Sequence, residues 1–270
     1  MNITFVGGGN MATALIGGML QKGFGAGQIR VVEVVPEARE RLGREFGVRA
    51  TGDLAEGIAG SDVLVLAVKP QQLREIAEAM RPLQGAQLVL SIAAGIRAGD
   101  IARWLGGHGN LVRAMPNTPA LIQAGITGLY ALPEVSASGR AGAERILGAV
   151  GETLWLGEES MMDAVTAVSG SGPAYVFYFI EALQEAAVEQ GFSAGEARRL
   201  ALATFLGAAR LAAGSPEAAA ALRARVTSKG GTTERAIGVL EASRVKQHVI
   251  DAVAAAAERS RELGDEIGKA

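Results

Sequence analysis

Near its N-terminus the chain runs from an apolar, β-branched stretch, Ile3–Val6, into Gly7-Gly8-Gly9-Asn10-Met11-Ala12. A segment with helical apolar spacing over residues 10–22 follows. Strand, Gly-x-Gly-x-x-Gly/Ala turn and helix, in that order, form the fingerprint of a dinucleotide-binding βαβ unit. Gly7, Gly9 and Ala12 occupy its three places. Gly7 permits the tight turn, Gly9 lets backbone approach a diphosphate, and Ala12 lets the helix lie close to the strand. The helix start offers unpaired N–H groups and a partial positive charge to an anion. A plain glycine-rich turn is the alternative, and the position directly after the first strand favours the nucleotide.

The pattern continues. Residues 29–34, 62–67, 87–91 and 110–114 are short apolar runs bounded by glycine or charge. Helical spacing fills 36–46, 70–81 and 98–105 between them, which predicts βαβ units on a parallel sheet. A further strand pair, 125–130 and 153–156, flanks a helix at 136–150. After Gly157 strand signals stop, and helices are expected at 173–190, 193–213, 216–225, 233–242 and 245–263. Ser193 with Glu196 has capping-box spacing, and Ser215-Pro216 places a cap before a first-turn proline. The expected class is therefore α/β: a Rossmann-type parallel-sheet domain over residues 1–157, then an all-α domain over 158–270. Helices so rich in alanine make a thin core, so they are expected to pack against a second subunit.

Composition removes several other classes. The chain has 270 residues with 26 basic and 28 acidic side chains, a net charge of −2, so no nucleic-acid partner is expected. It has no cysteine, which excludes disulfide scaffolds, thiol catalysis and Cys-ligated metal. The uncharged runs 114–133 and 164–180 are interrupted by Pro116, Pro119 and Pro133 and by Ser169-Gly170-Ser171-Gly172-Pro173. Both read as buried interior, and no membrane partner is expected. No export signal precedes the first strand, so a cytoplasmic location is expected.

Candidate ligand-facing residues cluster at predicted strand ends, where open parallel sheets bind. Glu33 lies 21 positions after Ala12, where an acid accepts hydrogen bonds from a ribose and repels a 2′-phosphate; a solvated strand-end glutamate is the alternative. No Arg or Ser follows at Val34-Val35, so NADH is favoured over NADPH. Ala67-Val68-Lys69-Pro70, Ser91-Ile92-Ala93-Ala94-Gly95 and Met115-Pro116-Asn117-Thr118-Pro119 end further strands. Lys69 reads equally as a surface lysine, and Asn117 as a turn residue. In the helical half, Ser228-Lys229-Gly230-Gly231-Thr232-Thr233 makes a compact anion site, where the amides of Gly231 and Thr232 grip a carboxylate and hydroxyls orient a neighbouring heteroatom. His108 and His248 both read as exposed, there is no metal-ligand cluster in the sequence, and no metal is expected.

Taken in order, these motifs resemble the pyrroline-5-carboxylate reductases, which complete proline synthesis. The resemblance runs through Phe5–Met11, 67–70, 91–95, 113–119, 169–175 and 228–233. It implies NAD(P)H-dependent reduction of L-1-pyrroline-5-carboxylate to L-proline by an interlocked dimer, often assembled into rings of dimers, with the active site formed from both domains. By the same resemblance, Gly7, Gly8, Gly9, Asn10, Met11, Ala12 and Ala67 to Pro70 hold the cofactor, with Ala93 and Ala94 near the nicotinamide. Ser228, Gly231, Thr232 and Thr233 bind substrate, and the Thr233 hydroxyl meets the ring nitrogen. The chain departs from the family pattern at Lys229, where proline is usual, at Ala224, where an acid is common, and at Glu33-Val34-Val35. Two other readings are a β-hydroxyacid-type dehydrogenase, disfavoured because the expected helix 173–190 has no lysine, and a nicotinamide-binding protein without turnover.

Overall fold

A computed structural model describes residues 1–82 and 85–269; Leu83, Gln84 and Ala270 of the predicted domains lie outside the described residues. Among the described residues eight strands form one sheet: β1 (Ile3–Val6), β2 (Ile29–Val32), β3 (Arg49–Thr51), β4 (Val63–Leu66), β5 (Leu88–Ser91), β6 (Leu111–Met115), β7 (Gly125–Ala131) and β8 (Gly151–Trp155). Their spatial order is β3-β2-β1-β4-β5-β6-β7-β8. Every neighbouring pair is parallel except β6 with β7. The helices are α1 (Asn10–Gln21), α2 (Pro36–Phe46), α3 (Leu54–Ile58), α4 (Pro70–Met80), α5 (Ala98–Trp104), α6 (Ala137–Leu147), α7 (Met161–Val165), α8 (Gly172–Glu189), α9 (Ala194–Ala213), α10 (Ala219–Arg225), α11 (Thr232–Ala242) and α12 (Val245–Lys269). A π-helical stretch, Thr166–Gly170, extends α7.

Strand side chains alternate between two cores. Ile3, Phe5, Val63, Val65 and Leu90 pack on one face with Leu15, Ile16 and Met19 of α1 and Leu42 of α2. Val6, Leu64, Leu66 and Val89 pack on the other with Leu73 and Met80 of α4 and Ile101 and Trp104 of α5. A parallel sheet needs both faces covered, and near-continuous apolar strands such as β4 result. Thr4 is the polar exception in β1. Fully buried, its hydroxyl lies 2.8 Å from the Gly57 carbonyl, to which it donates, and 2.7 Å from Ser61 Oγ.

The chain divides into two compact units, Met1–Ser171 with Ala255–Ala270, and Gly172–Ala254. This differs from the 1–157/158–270 division expected from the loss of strand signal. Residues after Gly157 stay with the sheet because buried Arg113 of β6 pairs with Glu159 at 3.0 Å, and Glu159 also accepts from the Ala98 amide at 2.6 Å. The end of α12 joins the same unit through Ser260 to Asp163 at 2.6 Å, Arg97 to Asp265 at 2.5 Å and Arg103 to the Gly268 carbonyl at 2.9 Å.

The second unit is wholly helical. α9 begins at a capping box in which Glu196 accepts from the Ser193 hydroxyl and amide, and these bonds hold the Glu196 carboxyl below its ordinary range. Buried side chains in it are few; Ala197 and Ala201 are the buried residues of α9, while Phe177, Tyr178, Leu206 and Leu211 stand more than half exposed. Among the described residues, no helix is long and apolar enough to cross a membrane.

Thr4→Val is expected to leave the Gly57 carbonyl and the Ser61 hydroxyl short of a partner in the core. A loss of about 1–3 kcal/mol, read as a lower urea midpoint with an unchanged slope, is the expected outcome.

Candidate active site

The strand order reverses between β1 and β4, so the loops after these two strands part from each other and leave a crevice at the carboxyl edge. Gly7 turns there with φ +103°, a conformation that L side chains rarely adopt. A Cβ on Gly7 would stand 2.8 Å from the Ala67 carbonyl carbon and oxygen. Gly7 N–H donates to the Val32 carbonyl and Ala67 N–H to the Val6 carbonyl, each at 2.8 Å, which extends the ladder into the loops. At Gly9 the situation is reversed: its φ is −70°, and nothing beyond its own chain neighbours lies within 4 Å of where a Cβ would be. Gly9 precedes α1, and no side chain caps that helix. The start of α1 thus faces open space, with room and donors for an anionic diphosphate.

Around this loop lies a cleft of about 460 Å³. It is lined by Gly7, Gly8, Gly9, Glu33, Ala67, Val68 and Lys69, among others, so most of the sequence-predicted cofactor residues do converge. Asn10 and Met11 open α1 beside it, buried Ala12 packs into the core, and Pro70 starts α4. Glu33 is half-buried, with one carboxylate oxygen accepting from Gly8 N–H and the other from Val35 N–H, both at 2.9 Å. β2 stops at Val32 where a strand to residue 34 is expected: the Glu33 amide makes a last bond to the Thr51 carbonyl at 2.9 Å, its carboxylate takes the Val35 amide, and Val34 is 75% exposed. Arg39 donates to the carbonyls of Glu33 and Val34 at 2.7 and 3.0 Å. The cleft also holds Glu75, which sequence reasoning missed because it sits mid-helix in α4 with no motif around it.

Ala93 is buried and Ala94 exposed in the turn after β5, against which α12 packs: a Cβ on Gly95 would touch Leu263 at 3.4 Å. His108 is half-buried rather than exposed, its Nε2 2.9 Å from the Gln87 carbonyl. His248 is exposed.

In the second unit, Ser228 to Gly231 close a turn before α11. The Gly231 amide donates to the Ser228 carbonyl at 3.0 Å, and the Gly230 amide to Glu234 at 2.7 Å. The Gly231 N–H expected to grip a carboxylate is therefore engaged within its own turn, because the backbone there doubles back with Gly230 at φ +75°. The Ser228 hydroxyl lies only 2.6 Å from where a Cβ on Gly231 would be. Thr232 and Thr233 open α11, which no side chain caps, with Thr232 exposed and Thr233 half-buried.

A largely parallel sheet carrying an uncapped glycine loop at its switch point, with an acid on the neighbouring strand end, is the architecture of a dinucleotide-binding protein. Comparison with known proteins agrees. Residues 2–95 match the family described as "NADP oxidoreductase coenzyme F420-dependent", and residues 159–263 match that of pyrroline-5-carboxylate reductase dimerisation. The pyrroline-5-carboxylate reductase of Pseudomonas aeruginosa is 46% identical over 99% of this chain and 98% of its own. A solved pyrroline-5-carboxylate reductase from Coxiella burnetii has TM-score 0.92 and 41% identity, covering 97% and 98% of the two chains. The Plasmodium falciparum pyrroline carboxylate reductase, solved with NADP bound, has TM-score 0.88 and 28% identity, covering 98% of each. The chain belongs to the pyrroline-5-carboxylate reductase family and is an NAD(P)H-dependent oxidoreductase.

Gly7 and Gly9 separate fold from binding. Gly7→Ala is expected to lower the melting temperature and nucleotide binding together, since a methyl there meets backbone. Gly9→Ala is expected to leave the melting temperature within about 2 °C while weakening NADH binding roughly tenfold or more, as read by nucleotide fluorescence titration.

Proposed function

We propose that the chain reduces the C=N bond of L-1-pyrroline-5-carboxylate to give L-proline, with Gly7 to Ala12, Glu33, Ala67 to Pro70, Ala93 and Ala94 serving the nucleotide and Ser228, Gly231, Thr232 and Thr233 serving the imino acid. The observation that carries the first half is Gly9: an uncapped helix start behind a residue with empty space before it fits a diphosphate. A reduced nicotinamide held in the cleft supplies the hydride that turns the C=N bond into C–N. In this reading Thr233, half-buried at the start of α11, orients the ring nitrogen through its hydroxyl. The Thr232 amide receives the carboxylate, and Gly231 joins it only if its bond to the Ser228 carbonyl is exchanged. The substrate enters as the protonated iminium or takes its proton from water, so hydride addition leaves the neutral ring amine without a protein acid.

Glu33 supports a preference for NADH. Both its oxygens already accept backbone N–H groups at the ribose end of the cleft, Glu75 adds a second carboxylate, and the nearby Arg39 is tied to two carbonyls. At an effective dielectric of about 20, like unit charges about 4 Å apart repel by about 4 kcal/mol, enough to turn selection against a 2′-phosphate. The P. falciparum relative was solved with NADP bound, so the preference is proposed for this chain and not for the family.

The dimerisation family match and the exposed Phe177, Tyr178 and Leu211 support self-association through the helical unit, which we read as an interlocked dimer able to build a ring of dimers. A cytoplasmic location fits the biosynthetic role. The dehydrogenase alternative loses ground because α8, Gly172–Glu189, contains no lysine.

Loss of NADH absorbance on adding pyrroline-5-carboxylate tests the reaction, and a wild-type chain that binds NADH without oxidising it refutes turnover. Thr233→Ala is expected to lower kcat roughly 10- to 100-fold with NADH affinity unchanged. In parallel assays kcat/KM is expected to be higher with NADH than with NADPH; the reverse order would overturn the role given to Glu33.

A further inference from the structure

Asn117 sits between two prolines at the end of β6 and is only 9% exposed. A turn asparagine ordinarily bonds its own backbone, but this one makes no side-chain cap on the short helical turn Thr118–Ile122 that it precedes. It reaches outward in both directions instead. Its Oδ1 accepts from Ile126 N–H of β7 at 3.0 Å, and its Nδ2 donates to the Ser169 carbonyl at 3.1 Å.

Ser169 belongs to the π-helical stretch Thr166–Gly170. There Ser171 N–H donates to the Thr166 carbonyl, five residues back, at 2.8 Å. Two hydroxyls reinforce the widened turn: Thr166 donates to the Met162 carbonyl at 2.8 Å and Ser169 to the Val165 carbonyl at 2.9 Å. A Cβ on Gly170 would be 2.6 Å from Cε of Met115, the last residue of β6, so that side chain packs over the turn. Single π turns cost helix geometry and recur at functional sites, where they aim backbone that a regular helix would turn away.

The position of this turn is set by the sheet. Ser91, the last residue of β5, pairs with Arg113 of β6, and Met115 is two residues further on. The turn is therefore fastened to the carboxyl edge beside the Ser91–Gly95 loop that carries Ala93 and Ala94. We infer that Asn117 is a positioning residue for hydride transfer: it holds the Ser169–Ser171 turn in register with the loop that bears the nicotinamide end of the cofactor. This rests on the reading of that loop given above.

Asn117→Asp isolates the donor, because the aspartate keeps an oxygen for Ile126 N–H and faces the Ser169 carbonyl with a second oxygen in place of an NH2. Protonation restores a donor. The expected result at pH 8 is a kcat lowered roughly 10- to 100-fold with NADH affinity and imino-acid KM within about twofold of wild type. As pH falls toward 5, the ratio of variant to wild-type kcat is expected to rise, an acid limb in the ratio that cancels any pH dependence of the substrate itself. Asn117→Ala is expected to show the same loss without that limb. Asn117→Asp with normal kcat, a loss shared equally by NADH affinity, or absence of the acid limb would overturn the inference; so would failure of both variants to fold at every pH, which would make Asn117 a residue of stability alone. Wild-type turnover with NADH and pyrroline-5-carboxylate, measured alongside, reports separately on the proposed function.

Discussion

No side chain fits between Gly7 and the backbone at Ala67, and the first unit is organised around that approach. β1 and β4 pair residue for residue from Ile3 with Val63 to Val6 with Leu66, so their two loops leave the sheet at the same level. From that level α1 and α4 depart to opposite faces, each anchored by its own core. A crevice opens between their starts as a consequence of topology, before any ligand chemistry is considered. The left-handed turn at Gly7 aims the start of α1 across it. With a side chain at this position the loop would have to move outward, and the helix start, Glu33 bonded to Gly8, and the Ala67–Pro70 loop would lose their common register.

Much of this was legible in the sequence because the deciding features are local. Ile3–Val6 and Pro36–Phe46 have the predicted bounds, the first because glycine ends it and the second because proline starts it and Gly47 turns left-handed behind it. β3 was not legible: three residues, Arg49–Thr51, carry no apolar run, and their pairing with β2 comes from tertiary context. α10 starts at Ala219 and not at Pro216, because the Ser215 hydroxyl accepts from the Glu217 amide and makes a separate turn first. At the candidate site the glycines and Glu33 were visible as residue types at fixed spacing. Asn117, Glu75 and the engaged amide of Gly231 were not, since each is defined by a partner that spacing does not reveal.

The two units differ in how they are held together. The sheet unit buries two apolar cores and closes its polar interior with specific pairs such as Thr4 with Ser61 and Arg113 with Glu159. The helical unit has good local signals, including a complete capping box at Ser193, yet α8, α10 and α11 contain no buried residue. Capping and propensity are worth about 1 kcal/mol each and do not replace a core. A helical unit with Phe177, Tyr178 and Leu211 in water is therefore incomplete by itself, which is the physical content of a dimerisation domain.

The chemistry asks for little beyond placement, and the structure is built accordingly. Reduction of a C=N bond needs a hydride donor and an acceptor carbon in line, and the proton comes with the iminium or from water, so a tuned acid adds little to the rate. What remains is to hold two small reacting groups within a few tenths of an ångström, which side chains on mobile loops do poorly. Here the loops at the carboxyl edge are fastened by short bonds from buried or half-buried side chains: Glu33 to Gly8, Asn117 to Ser169, and the Ser169 hydroxyl to Val165. These bonds use groups that take no part in the proton balance of the reaction, so the frame keeps its shape as the C=N bond becomes C–N.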